Sequence, residues 1–322
     1  DDNVTDFLNL PNDQDIWPMI EADLQFAVEN LSPTKADVGR ASQWTAKAVL
    51  AKVHMFQRDY ESARPLLDDI INNGPFALVD NFHDNFKVAT ENNIESILEV
   101  QMSVGDGGSG QNGFWGDNLN FPYGSGPGGC CGFFQPSQNL VNAFKTGADG
   151  LPLLDNFNDE DVKNDEGLAS SDPFEPYTGN LDPRLDWTVG RRGIPFLNWG
   201  DHPGRNWIRD QSFAGPYTFK KFFAANGDNA GAESPRANSN NYRALRYADI
   251  LLLRAEVAVE DGDLAMALDI VNQIRRRAAN EMVTKDDGTP AATYVVKEYT
   301  SFRSQDYARR AVRFERRIEL AL

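Results

Sequence analysis

One stretch of this 322-residue chain occurs twice, and the repeat limits what the chain can fold into. VHMFQRDYESARPLLDDII, starting at Val53, aligns without gaps to VAVEDGDLAMALDIVNQI, starting at Val257, setting Ala63 on Ala267 and Ile70 on Ile274. Around the first copy, ASQWTAKAVLAKVHMFQ and ESARPLLDDIINNG read as two helices, the second stopped by Gly74-Pro75. A chain carrying the same helical hairpin near both ends is expected to be mostly α-helical. The copies are too far apart to be consecutive units of a simple solenoid, so the chain between them is a long insertion.

The hairpin resembles the tetratricopeptide type, in which small residues let two helices approach and an aromatic plugs the turn; Ala51, Tyr60, Ala63 and Leu67 take those roles. We expect a helical part over 1–81, a loop-rich and aromatic-rich insertion over 82–240 carrying the binding surface, and C-terminal helices of the same scaffold over 241–322, together one intimate domain. WPMIEADLQFAVENL should form an earlier helix, with Ile20, Leu24, Ala27 and Leu31 as one buried stripe. IESILEVQMSV is a run of strand length, and Ser137 is positioned to cap a short helix over SQNLVNAFKT. Any sheet should be minor.

Charge narrows the partners. The formal net charge of −17 repels phosphate backbones and anionic headgroups, so nucleic acid is not expected to bind, and a neutral glycan suits it better than a sulfated or uronic one. The basic run Arg309, Arg310, Arg313, Arg316, Arg317 is interleaved with Glu315 and Glu319 at helical spacing and reads as a solvated or salt-bridged face. Cys130 and Cys131 are adjacent, so they form either a vicinal disulfide or two free thiols, not a disulfide framework. No stretch approaches the roughly 20 apolar residues that span a bilayer, and the acidic start differs from a signal peptide.

Catalytic and cofactor motifs are weak. Gly108, Gly110 and Gly113 spell G-x-G-x-x-G after a strand, but no helix or βαβ unit follows to hold a pyrophosphate. The acidic run from Asp155 to Asp161 lacks the central glycine and terminal glutamate of a calcium loop. His54, His83 and His202 share no ligand spacing, and no nucleophile elbow or H-E-x-x-H is present. No metal or cofactor is therefore expected. A pair of carboxylates for glycoside hydrolysis remains open, because sequence spacing does not exclude one.

The positive signal is aromatic. A sugar ring wants an exposed Trp or Tyr plane with hydroxyl-bonding side chains at its rim. Phe114 and Trp115 lie among Asn112, Asn118, Asn120 and Tyr123 in a glycine-rich loop, and Trp199 and Trp207 bracket Asp201 and Arg205. Trp115 is the first candidate platform, since flanking glycines let the backbone carry a large side chain outward. Trp17, Trp44 and Trp187 lie on periodic segments and read as packing residues.

RYADILLLRAEVAVEDGDLAMALDIVNQIRRRA resembles the signature of the SusD/RagB family at Arg246, Tyr247, Ala248, Asp249, Glu256, Asn272 and Arg275. FFQPSQNLVNAF, DPRL and ERRIELAL resemble further elements of that family, in the same order along the chain. The resemblance implies a non-catalytic, surface-exposed outer-membrane lipoprotein that captures a polysaccharide or oligosaccharide and delivers it to a SusC-like TonB-dependent transporter. Its lipid anchor would lie outside this chain, which looks shorter than family members at both ends. A glycoside hydrolase or lyase and a tetratricopeptide-type interaction scaffold are the alternatives. Binding residues vary within the family, so none transfers by motif.

Overall fold

The computed structural model describes residues 13–35, 37–108, 111–113 and 119–322. Among them are eight α-helices and four short strands: α1 (Trp17–Asn30), α2 (Gln43–Gln57), α3 (Tyr60–Asn73), β1 (Ser96–Val100), α4 (Gln138–Asn142), α5 (Arg184–Thr188), β2 (Val189–Gly190), β3 (Thr218–Phe219), β4 (Tyr242–Arg246), α6 (Tyr247–Glu260), α7 (Leu264–Asn280) and α8 (Gln305–Leu320). The fold is mostly helical, as the repeat requires.

The two hairpins are physically equivalent. Asp59 caps α3 by accepting from the Ser62 amide at 3.1 Å, and Asp263, its counterpart, caps α7 by accepting from Met266 at 3.0 Å. Ala63, Ala267, Ile70 and Ile274 are all fully buried. Although far apart in sequence, the hairpins are neighbours in space, because α3 packs directly on α6. The insertion is a loop drawn out of this helical layer, and its neck is closed by antiparallel pairing of β1 with β4, Ser96 opposite Arg246 and Val100 opposite Tyr242. The second hairpin thus begins at Tyr247, directly after this strand.

The first helix departs from expectation. Ile20, Leu24 and Ala27 are only half-buried and Leu31 is exposed, because α1 packs mainly on α2 and nothing among the described residues covers its other side.

The insertion is fastened to the scaffold by charge as well as by apolar contact. Arg184 on α5 meets Asp182 at 2.7 Å, Glu315 at 2.6 Å and Glu319 at 3.0 Å. Arg275 reaches Glu315, and Arg246 and Arg277 each bridge Glu95 and Glu319. These eight side chains are all buried. Four guanidiniums face four carboxylates, so the cluster is neutral and charges too costly to bury singly are paired. Burial alone would raise the Glu319 carboxyl, but Arg277, Arg246 and Arg184 hold it at about 2. Meanwhile Arg309, Arg313 and Arg316 on the outer side of α8 pair with Glu260, Glu256 and Asp249 of α6, confirming a salt-bridged face.

Candidate functional site

Two consecutive residues connect the scaffold to the insertion's outer face. Phe222 packs against Phe86 at 5.2 Å in an aromatic cluster with Phe82 and Phe219. Phe223 joins a second cluster with Phe121, Phe196 and Trp207, with ring centroids 5.1 Å from Phe121 and 5.3 Å from Phe196. Phe121 and Phe223 of this second cluster form the floor of a cleft of about 530 Å³, lined also by Gly128, Trp199, Asn226, Asn229 and Ser234 among others. Its size and its mixture of apolar and polar walls are those of a small-molecule site.

The wall residue with the most to offer is Trp199. Residues 193–202 fold back on themselves, with Phe196 N–H donating to Gly200 O at 2.8 Å and His202 N–H to Ile194 O at 3.0 Å. Leu197 and Gly200 take positive φ in the turn, placing Trp199 at the tip. The indole remains 36% exposed, and its N–H donates to Ala224 O at 3.1 Å, which fixes the ring's orientation before any ligand arrives. The Asn198 side chain locks the tip to the opposite wall, donating to Asn226 O at 3.0 Å and accepting from Asn226 N–H at 2.6 Å.

Residues 119–133 form the adjoining wall. Phe133 N–H donates to Leu119 O and Gly132 N–H to Phe121 O, closing the segment into a narrow loop. Its glycines serve close approach: a Cβ on Gly128 would lie 2.2 Å from the Phe121 ring, and one on Gly126 would lie 3.1 Å from Trp207. Cys130 and Cys131 are joined as a vicinal disulfide at the loop's far side. The Arg209 guanidinium lies 4.1 Å from the Phe133 ring and 5.5 Å from that of Tyr123, and donates to Cys131 O. Beyond it opens a second, polar cavity of about 460 Å³, lined by Glu166, Arg205, Arg209, Asp210 and Gln211.

The residues singled out in the sequence have varied fates. Phe114, Trp115 and Asn118 lie outside the described residues. Trp199 lines the cleft, Tyr123 forms the ridge with Arg209, and Arg205 lines the polar cavity. Asp201 is exposed beside the tip. Asn112 turns into its own loop and donates to Asp106 at 2.7 Å, and Asn120 is half-buried and already engaged. Trp207 is a correction: only 8% of it is exposed, because Phe196 and His202 pack against its ring and the glycine-rich loop covers it, so it is a buried packing residue and not a platform. His202 beneath the cleft is pushed down to about 3 by burial and by the Lys220 cation, so it is neutral. The contributions of Asn226, Asn229, Ser234 and Arg209 went unseen, since nothing in a glycine- and asparagine-rich loop announces which carbonyls and amides converge. Gly110 lies outside the described residues, Gly113 ends a short turn at Gln111–Gly113, and no nucleotide-binding helix follows Gly108 or Gly113 among the described residues. No cluster of metal-ligating side chains exists among the described residues, and no described helix is long and apolar enough to cross a membrane.

Comparison with known proteins agrees with this architecture. The model of the SusD family matches residues 94–322, from the neck strand β1 through α8. The SusD-like protein P25 of Formosa agariphila is 29% identical over 278 residues, 84% of this chain and 48% of that protein. A SusD-like carbohydrate-binding protein of Bacteroides fragilis superposes with a TM-score of 0.63 at 22% identity, covering 95% of this chain and 55% of the other. A structure solved with a xylogluco-oligosaccharide gives 0.60 at 23% identity (95% and 54% covered), and a laminarin-binding SusD-like protein gives 0.57 at 23% (95% and 58%). At these identities the structural likenesses establish the fold. The chain spans about half the length of the curated relatives it matches. On the family match across the neck, insertion and C-terminal helices, this chain belongs to the SusD family.

Proposed function

We propose that this protein captures a polysaccharide or oligosaccharide at the bacterial cell surface without cleaving it, and passes it to a SusC-like TonB-dependent transporter in the outer membrane. The observation that carries the reading is Trp199, a half-exposed indole locked by its own N–H, standing over an aromatic floor beside Asn226, Asn229 and Ser234. A pyranose face can lie on such a plane while its hydroxyls meet the surrounding amides and carbonyls. Xylogluco-oligosaccharide and laminarin, associated with two proteins of similar fold, make β-linked glucans the first ligands to try.

The test is affinity electrophoresis against xyloglucan, laminarin, mannan, xylan and anionic algal polysaccharides, with reducing ends assayed in parallel. Retardation without release of reducing ends supports capture. Release would make the protein a hydrolase or lyase, and an unretarded protein would favour a helical interaction scaffold.

A further inference from the structure

Most of the arginines of this acidic chain have a carboxylate within 4.0 Å, although among the described residues Arg40, Arg58, Arg303 and Arg317 do not. Those on α3, α5, α6, α7 and α8 mostly sit against carboxylates, from Arg64 with Asp261 to Arg316 with Asp249. Three on the outer face of the insertion do not: among the described residues, no carboxylate oxygen lies within 4.0 Å of Arg205, Arg209 or Arg236. All three are exposed. Of the carboxylates of the same face, Glu166 shares the polar cavity with Arg205 and Arg209 but comes within 4.0 Å of neither, and three others accept from nearby donors. Asp210 accepts from the Ser212 amide and hydroxyl, Asp106 from Gly108 and Asn112, and Glu233 from the Gly105 amide.

These three arginines are also close together. Arg209 donates to Cys131 O at 2.9 Å, and Arg236 reaches the adjoining Cys130 Sγ at 3.6 Å, so two guanidiniums approach one dipeptide from opposite loops. Arg205 lines the same polar cavity as Arg209. Arg236 follows Ser234 and Pro235 on the rim of the Trp199 cleft. The three cations therefore form an arc running from the cleft rim, over the disulfide and the Tyr123–Phe133 ridge, into the polar cavity.

We propose that this arc is a second subsite of the glycan face, and that it reads negatively charged sugar units, a uronate carboxylate or a sulfate ester. The proposal rests on the capture reading above and names its ligand class. Guanidinium forks bind such oxygens with two parallel charge-assisted bonds. The net charge of −17 argues the other way, but charges farther than about 8 Å are largely screened at physiological ionic strength, so the contacting arginines decide.

Matched polymers test this: a polyuronide against its carboxyl-reduced form, and a sulfated galactan against its desulfated form, titrated with the parent, with Arg205→Ala plus Arg236→Ala, and with Arg205→Gln alone. Melting curves accompany each variant, and the single variant keeps the test valid should the double variant fold poorly. The parent should bind at least one charged polymer about tenfold or more tightly than its neutralised form, with affinity falling as salt rises. The double variant should close that gap, and the pair showing it identifies carboxylate or sulfate. Equal binding of the charged and neutralised forms by the parent, or a preference for the charged form that the double variant leaves unchanged, would overturn the arc while leaving capture intact. Failure of every polymer, neutral ones included, would overturn capture and the arc with it.

Discussion

Trp199 and Trp207 share one loop, yet their environments assign them opposite tasks. Truncating a central recognition tryptophan costs about 2 kcal/mol or more, roughly thirtyfold in affinity. Trp199→Ala should therefore abolish binding that is only micromolar to millimolar, with little change in melting temperature, since that ring is already part-exposed. Trp207→Ala removes a packed ring and leaves a cavity, so calorimetric or urea unfolding should show a loss of about 3–5 kcal/mol. Similar unfolding losses for both would contradict this division. His202 adds a pH dependence. Burial and Lys220 keep its folded pKa below the ordinary 6.5, so between those values the unfolded chain binds the extra proton. Its stabilising contribution is complete above pH 6.5 and falls as pH drops towards about 3. The melting temperature should decline below pH 6.5, and less steeply in His202→Gln; equal slopes would remove His202 from the account.

Among the elements, α8 has two faces with different energetics. Its inward carboxylates neutralise arginines from β4, α5 and α7, while its outward arginines reach α6 near solvent. Removing one partner of a buried pair leaves an uncompensated charge and costs about 3–5 kcal/mol, whereas an exposed pair contributes about 1 kcal/mol or less. In urea titrations Glu319→Ala should be strongly destabilised and Arg313→Ala nearly unaffected; equal effects would contradict the two-faced description. This helix also marks where sequence reading stops. That its arginines form a polar outer face follows from helical spacing, as do α2, α3, α6 and α7 from their periodicity, whereas the partners of those arginines on α6 do not. Glu315 and Glu319 look equally solvated in sequence, and only the arrival of Arg184, Arg246, Arg275 and Arg277 from distant segments makes their burial tolerable. The face of the insertion was legible as aromatic loops, but a loop has no period, so nothing local separated the platform Trp199 from the buried Trp207.

For the whole molecule, the residues that carry the family resemblance hold the scaffold together. Arg246 and Arg275 lie in the buried charge cluster, and the Asn272 side chain both donates to and accepts from the Tyr299 backbone, at 2.9 and 2.8 Å. None of the three lines either cavity. Such motifs identify the fold and are silent about the ligand, which meets loops free to vary. Since no metal-ligating cluster occurs among the described residues, glycan affinity should be unchanged by chelator; a loss restored by calcium would implicate the acidic loop at 155–166. The most direct measurement is a crystal structure of the protein with an oligosaccharide cut from whichever polysaccharide retards it. This account predicts an intact sugar chain with one ring stacked on Trp199 above Phe121 and Phe223. A chain bound on the helical scaffold, or cleaved in the crystal, would contradict it.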